Sequence, residues 1–320
     1  MTSSRTKSRS KASDASVSAS SERPTPFVAT HESFAIGADG TRLYVRERAE
    51  SDIGLTTVLC DGICCDGYIW KYLWDDLAPL SRLCHWNYRG HGRSAPPRDP
   101  NRIDIAAHAD DLDRVRRHIG DPPVVLVGHS MGCQVVLEAF RQRPAKVRGV
   151  VLVCGSSGRV THTFHGTDLL ARALPGLIQF TESHRGLMRG IWSRIPLEAA
   201  LKVALSTGEV DKNRLRPEDF MPYLRHVSLM DLLLFLRMLR AAGEHTAEEF
   251  LSTIDVPTLV VAGKADTFTP YSLAEKLCRA LPKGELFTVP GGTHVAPLEQ
   301  RELVGRWLIR FLTERIEAAS

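Results

Sequence analysis

Long apolar runs are missing from this chain. In 320 residues no window holds roughly 18 uninterrupted apolar positions, the length a helical membrane span requires, so a span is not expected. The N-terminal segment MTSSRTKSRSKASDASVSASSERPTP, residues 1–26, has no apolar stretch of the kind a secretory leader needs. It is nearly free of large apolar side chains and cannot offset its own ordering entropy, which predicts a disordered tail. Its Arg and Ser content loosely suggests a transit peptide, but the amphipathic apolar face is missing. Cysteine occurs seven times, at Cys60, Cys64, Cys65, Cys84, Cys133, Cys154 and Cys278. No pair has C-x-x-C spacing, and no nearby His or Cys completes a zinc pattern. Most of these thiols lie in apolar, strand-like runs where cysteine packs as a small hydrophobe, which points to a reducing, cytoplasmic setting. For the adjacent Cys64-Cys65, vicinal redox chemistry is the alternative to plain packing. Excess charge is missing too. The net charge is +4, and the tail accounts for most of it, with five basic side chains against two acidic ones. The remainder is nearly neutral and gives no electrostatic case for nucleic acid.

What is present is alternation. ESFAIGADGTRLYVRER reads as two strands joined across Asp39-Gly40. LTTVLCDG, RLCHWNY, PPVVLVG, VRGVVLVCG, VPTLVVAG and GELFTVPGG follow as short apolar strands, about eight in all with the first pair. Between them YIWKYLWDDLAPL, DIAAHADDLDRVRRHIG, MGCQVVLEAFRQRP, YSLAEKLCRALP and LEQRELVGRWLIRFLTERI carry apolar residues at helical spacing. Strands alternating with helices predict a mostly parallel, doubly wound α/β sheet. Residues 156–251 interrupt the pattern with helical segments such as GLMRGIWSRI, LEAALKVAL and MDLLLFLRMLRAAG. A stretch of that length is too long for an ordinary strand-to-helix connection. It is expected to be a helical insertion, a cap over the carboxyl edge of the sheet where ligands bind. The expected organisation is a tail at 1–26, a core formed by 27–155 and 252–320, and a cap at 156–251.

The sharpest chemical signal is VVLVGHSMG at residues 124–132, which contains G-x-S-x-G as Gly128-His129-Ser130-Met131-Gly132. Such strings arise by chance, but here a strand precedes and a helix follows, the context the motif requires. The turn is so tight that Gly128 and Gly132 must be small, and it presents Ser130 at a helix N-terminus. A serine hydroxyl needs a base to act as nucleophile. Among His85, His91, His129, His162, His165 and His294, the last is the best placed. It follows a strand, on the glycine loop VPGGTHVAPLE, and comes after the serine in the chain. The imidazole needs an acid to orient it. Asp266 in LVVAGKADTFTP lies on the loop after a strand, whereas Asp255 precedes that strand at the wrong end of the sheet.

With these residues in place, the chain from about 32 to 316 resembles the α/β-hydrolase superfamily, in its cap-bearing, esterase/lipase-like branch. GHSMG, RGHGRS, GKADTFTP and GGTHVAPLEQRE carry the likeness, in the usual order and spacing. The resemblance implies a catalytic triad of Ser130, Asp266 and His294. It also implies an oxyanion hole from the backbone amides of Met131 and Ile63, and a cap between the sixth and seventh main strands. The chain departs from the family at TVLCDGICCDGYIW, where Asp61-Gly62 replaces the common His-Gly, and at Asn87, where an acid usually precedes RGHG. Two readings of Asp61 follow: a structural carboxylate paired with Arg89 or Arg93, or a cap of its own turn. An ionised Asp61 facing the oxyanion would oppose the developing charge, so it must point away or be neutralised.

The expected activity is cleavage of a lipophilic short- to medium-chain ester by a Ser-His-Asp acyl-enzyme route that needs no metal or cofactor. The cap's Leu, Ile, Met and Phe content favours such a small-molecule, lipid-like substrate. The same triad acting on a thioester, lactone, peptide or C–C bond, or in cofactor-free peroxidation, is the alternative. A non-catalytic ligand receptor on this scaffold, or a nucleic-acid role for the basic tail, is the reading from another class.

Overall fold

The computed structural model describes residues 1, 31–50, 54–162 and 166–317. The Ser-rich tail beyond Met1, and His165, therefore lie outside the described residues. Eight strands form one sheet in the order β1-β2-β4-β3-β5-β6-β7-β8. They are β1 (His31–Ile36), β2 (Arg42–Arg48), β3 (Thr56–Cys60), β4 (Arg82–Trp86), β5 (Val124–His129), β6 (Val147–Val153), β7 (Thr258–Gly263) and β8 (Gly284–Val289). β1 pairs with β2 and β2 with β4 antiparallel, and every later pairing is parallel. The first hairpin turns where Gly40 takes φ 84° and Asp39 Oδ1 accepts the Thr41 amide at 2.9 Å.

The central strands are apolar throughout because both faces of the sheet are covered. Val58, Leu126, Val150, Leu152 and Val260 point to one side, among side chains of α2 (Ile105–His118), α3 (Met131–Gln142) and α9 (Tyr271–Ala280). Leu59, Val125, Val127, Val151, Val153 and Val261 point to the other, among side chains of α1 (Leu73–Leu77), α10 (Ala296–Glu299) and α11 (Arg301–Phe311). The period of two along a strand makes this division. The helix expected over YIWKYLWDDLAPL is instead a single tight turn at Tyr68–Trp70 followed by the short α1. Its Trp70, Leu73, Trp74 and Leu77 are fully buried, so tertiary packing rather than helix length holds it.

Between β6 and β7 the chain forms α4 (Leu169–Ser183), α5 (Arg185–Trp192), α6 (Leu197–Thr207), α7 (Pro217–Leu229) and α8 (Leu232–Glu244). Asp219 of α7 accepts from Tyr72 Oη at 2.6 Å and pairs with Lys71, and Gln134 Nε2 of α3 donates to Ala242 O of α8 at 2.9 Å. These polar contacts fasten the inserted helices to the sheet layer. No helix among the described residues is long and apolar enough to cross a membrane.

Candidate active site

The turn between β5 and α3 places Ser130 at φ 54°, ψ −119°, a conformation that L residues rarely adopt. Close approach explains the flanking glycines. A Cβ on Gly128 would lie 2.4 Å from the Gly132 backbone, and one on Gly132 would lie 2.3 Å from Cys60 O. Both contacts are with backbone that cannot swing aside. The sharp turn leaves the serine side chain half-buried and open to a cavity at the α3 N-terminus.

Residues far apart in the chain meet at that hydroxyl. His294, on the loop after β8, has Nε2 2.8 Å from Ser130 Oγ. Its Nδ1 donates to Asp266 Oδ2 at 2.9 Å, which leaves the Nε2 lone pair facing the serine. Asp266, on the loop after β7, is itself held. Its Oδ1 accepts the amides of Phe268 and Thr269, each at 2.9 Å, and its Oδ2 accepts Thr269 Oγ1 at 2.8 Å. The carboxylate is thus fixed in orientation before it meets the imidazole. Gly62 packs against the serine, where an added Cβ would be 3.1 Å from Ser130 Cβ, so Ile63 sits beside Ser130. Among the described residues the amides of Ile63 and Met131 make no hydrogen bond, and both residues border the cavity at Ser130.

Three supporting side chains were not singled out from the sequence. His129 Nε2 donates to His294 O at 2.9 Å and so anchors the backbone of His294. Burial pushes its pKa down to about 4, with His294 nearby adding to the effect, so the ring is neutral. His91 Nε2 accepts the Cys64 amide at 3.1 Å, and its Nδ1 donates to Arg89 O at 3.1 Å, which fixes the loop after β3. Burial lowers its pKa to about 4 as well. Glu299 accepts the Thr293 amide at 3.0 Å and Thr293 Oγ1 at 2.7 Å, which orders the residue before His294. His91 and His129 are visible in RGHG and GHS, but what they hold is not.

Asp61 requires a correction. Neither arginine pairs with it, nor does its carboxylate cap its own turn. Its Oδ1 accepts Trp70 Nε1 at 2.8 Å and its Oδ2 accepts His85 Nε2 at 2.7 Å, all three side chains being fully buried. Arg89 is used elsewhere, with Nε and Nη2 on the two oxygens of Asp111 at 2.8 and 2.6 Å and Nη1 on Asp39 at 3.1 Å. Arg93 reaches Glu32 at 2.5 Å at the surface. α2 supplies the acid for Arg89, and β4 supplies the partner for Asp61. Cys64 and Cys65 are buried beside this loop, and burial raises both thiols far above the range in which a thiolate forms readily.

Two cavities meet at Ser130 and His294. The larger, of about 480 Å³, is walled by Leu170, Leu174 and Leu177 of α4, Met188 and Trp192 of α5, and Leu232, Phe235, Leu236 and Leu239 of α8. The smaller, of about 220 Å³, runs toward α6 and α7. Ile63, Tyr223 and Phe268 border both.

A family model described as alpha/beta hydrolase fold matches residues 58–180, and one described as TAP-like protein matches residues 239–315. Over 268 residues the chain is 28% identical to the polyketide synthase ThaQ of Burkholderia thailandensis. That match covers 83% of this chain but only 12% of the synthase. The chain is 26% identical over 204 residues to the uncharacterized hydrolase YugF of Bacillus subtilis, covering 62% of this chain and 68% of that one. The esterase EaEST from Exiguobacterium antarcticum superposes with a TM-score of 0.71 at 20% identity, over 88% of this chain and 100% of the esterase. The chain has the α/β-hydrolase fold.

Proposed function

We propose that the protein is a serine hydrolase that cleaves a lipophilic short- to medium-chain carboxylic ester. The observation that carries this reading is the unbroken Ser130–His294–Asp266 hydrogen-bond chain opening onto an apolar cavity. Asp266 accepts the Nδ1 proton and holds the imidazole in one tautomer. His294 Nε2 takes the Ser130 proton as Oγ attacks the substrate carbonyl. The oxyanion that forms is met by the amides of Met131, at the N-terminus of α3, and Ile63. The tetrahedral centre collapses, the bond to the leaving oxygen breaks, and that oxygen takes the proton from Nε2. Water then gives a proton to Nε2 and attacks the acyl carbon, and the acid departs as Ser130 recovers its hydrogen. At roughly 30 Å³ per water-sized group, the larger cavity has room for about sixteen, enough for a medium acyl chain.

A fluorophosphonate probe tests this reading. The native protein should be labelled at Ser130, and Ser130→Ala should lose the label and roughly 10⁴-fold or more of kcat toward p-nitrophenyl esters. Equal labelling of both proteins would reject it.

A further inference from the structure

The smaller cavity is walled largely by rings. Tyr68, Phe220, Tyr223 and Phe268 border it, together with the imidazoles of His129 and His294. They come from the turn after β3, from α7, from the loops after β7 and β8 and from the serine elbow, so no single run of sequence announces them. Three of them form one cluster: Tyr68 and Tyr223 stack at 5.1 Å, Phe220 lies 5.2 Å from Tyr223, and Phe220 meets Tyr68 edge-on at 6.4 Å. On the other side Phe268 lies over His294, with ring centres 5.0 Å apart. Burial raises the Tyr68 and Tyr223 phenols and lowers the His129 imidazole, so all three rings are neutral. Glu209, the acid at the border, is engaged within the protein, its Oε2 accepting Thr267 Oγ1 at 2.7 Å, and it belongs to the wall. Among the described residues no lysine or arginine borders the cavity. The larger cavity instead presents six leucines of α4 and α8, a wall that suits a saturated chain. Aromatic walls offer a further ring edge-to-face and offset contacts, which a saturated group of the same size cannot match.

We propose that the smaller cavity is a leaving-group subsite for a neutral aromatic alcohol of benzyl size. The inference rests on the serine hydrolase reading above and names the other half of the ester. The acyl chain occupies the larger cavity, the scissile carbonyl lies at Ser130, and the ring of the alcohol lies among Tyr68, Phe220 and Tyr223. When the ester C–O bond breaks, the leaving oxygen takes the His294 Nε2 proton, and the product released from this cavity is the uncharged alcohol. At roughly 30 Å³ per group the space takes about seven, the carbon count of a benzyl group.

Benzyl hexanoate and cyclohexylmethyl hexanoate share an acyl chain and a carbon count, and differ in whether the alcohol's ring is aromatic. With each kcat/KM divided by the rate of hydroxide-catalysed hydrolysis, the native protein should prefer the benzyl ester by about fivefold or more. Phe220→Leu and Tyr223→Leu should each lower that ratio by about twofold or more. Hexyl phenylacetate and hexyl cyclohexylacetate move the ring to the acyl side, and there the native preference should be much smaller. A native ratio near one for the first pair overturns the subsite without reference to any variant. An equal preference in the second pair overturns it too, as does a ratio unchanged in both variants. Fluorophosphonate labelling in the same samples separates the two levels. Labelled Ser130 with no aromatic preference sinks the subsite alone. An unlabelled native protein sinks the hydrolase reading and the subsite with it.

Discussion

Asp61 takes its two donors from positions 9 and 24 residues further along the chain, Trp70 and His85, and none of the three side chains reaches solvent. Burial holds the His85 pKa below its ordinary value, so a neutral ring donates its Nε2 proton to the carboxylate. Tyr88 Oη adds a bond of 2.8 Å to Asp61 O, which ties down the strand end that leads to Ile63. The carboxylate therefore faces away from the oxyanion position, as the electrostatics of the site require. Asp61→Ala strands two buried donors, at a cost of about 2–4 kcal/mol. Its urea midpoint should fall accordingly, and Asp61→Asn, which keeps one acceptor, should fall less. An unchanged midpoint for Asp61→Ala would deny the carboxylate its structural role. The sequence marked Asp61 as a departure from the family but could not choose its partner, because that choice depends on which side chains of β4 and the Tyr68–Trp70 turn face it.

At the scale of the element, the elbow joins β5 to α3 with no slack. Gly132 approaches backbone oxygens of Cys60 and Asp61, so a methyl there has nowhere to go. Gly132→Ala should cost more than about 4 kcal/mol, within the exceptional range for one substitution, and should reduce soluble yield. Gly176, exposed in α4 with nothing within 4 Å of an added Cβ, provides the contrast. Gly176→Ala should raise stability by about 0.5–1 kcal/mol through helix propensity alone. Denaturant titration of both variants checks the pair, and similar losses for the two would contradict the packing described. The elbow was legible in the sequence because strand, glycines, serine and helix are consecutive. The short α1 was not, because its apolar spacing suits a longer helix and only tertiary packing, against α11 among others, cuts it short.

At the scale of the molecule, His85, His91, His108 and His129 are all buried inside one fold. Burial lowers the pKa of each, to about 4 for His91 and His129. The unfolded chain binds protons near the ordinary value of about 6.5, before the folded one does. Stability from these rings is therefore fully present above about pH 6.5 and is lost as pH falls through about 4. The urea midpoint should hold from pH 8 to 7 and decline between 6.5 and 4, with a shallower decline for His91→Asn. A flat midpoint over that window, or an unchanged slope in the variant, would contradict this assignment. The sequence by itself determined the alternating α/β architecture, the serine elbow and the chain order of Ser130, Asp266 and His294. Each of these follows from local periodicity, neighbouring residues or order along the chain. Only the tertiary structure decided that His91, His129 and Glu299 brace the candidate site, that Asp61 belongs to Trp70 and His85, and that two cavities meet at one serine. Those are contacts between segments far apart in the chain, and they exist only once the sheet has stacked its strands and the inserted helices have closed over its edge.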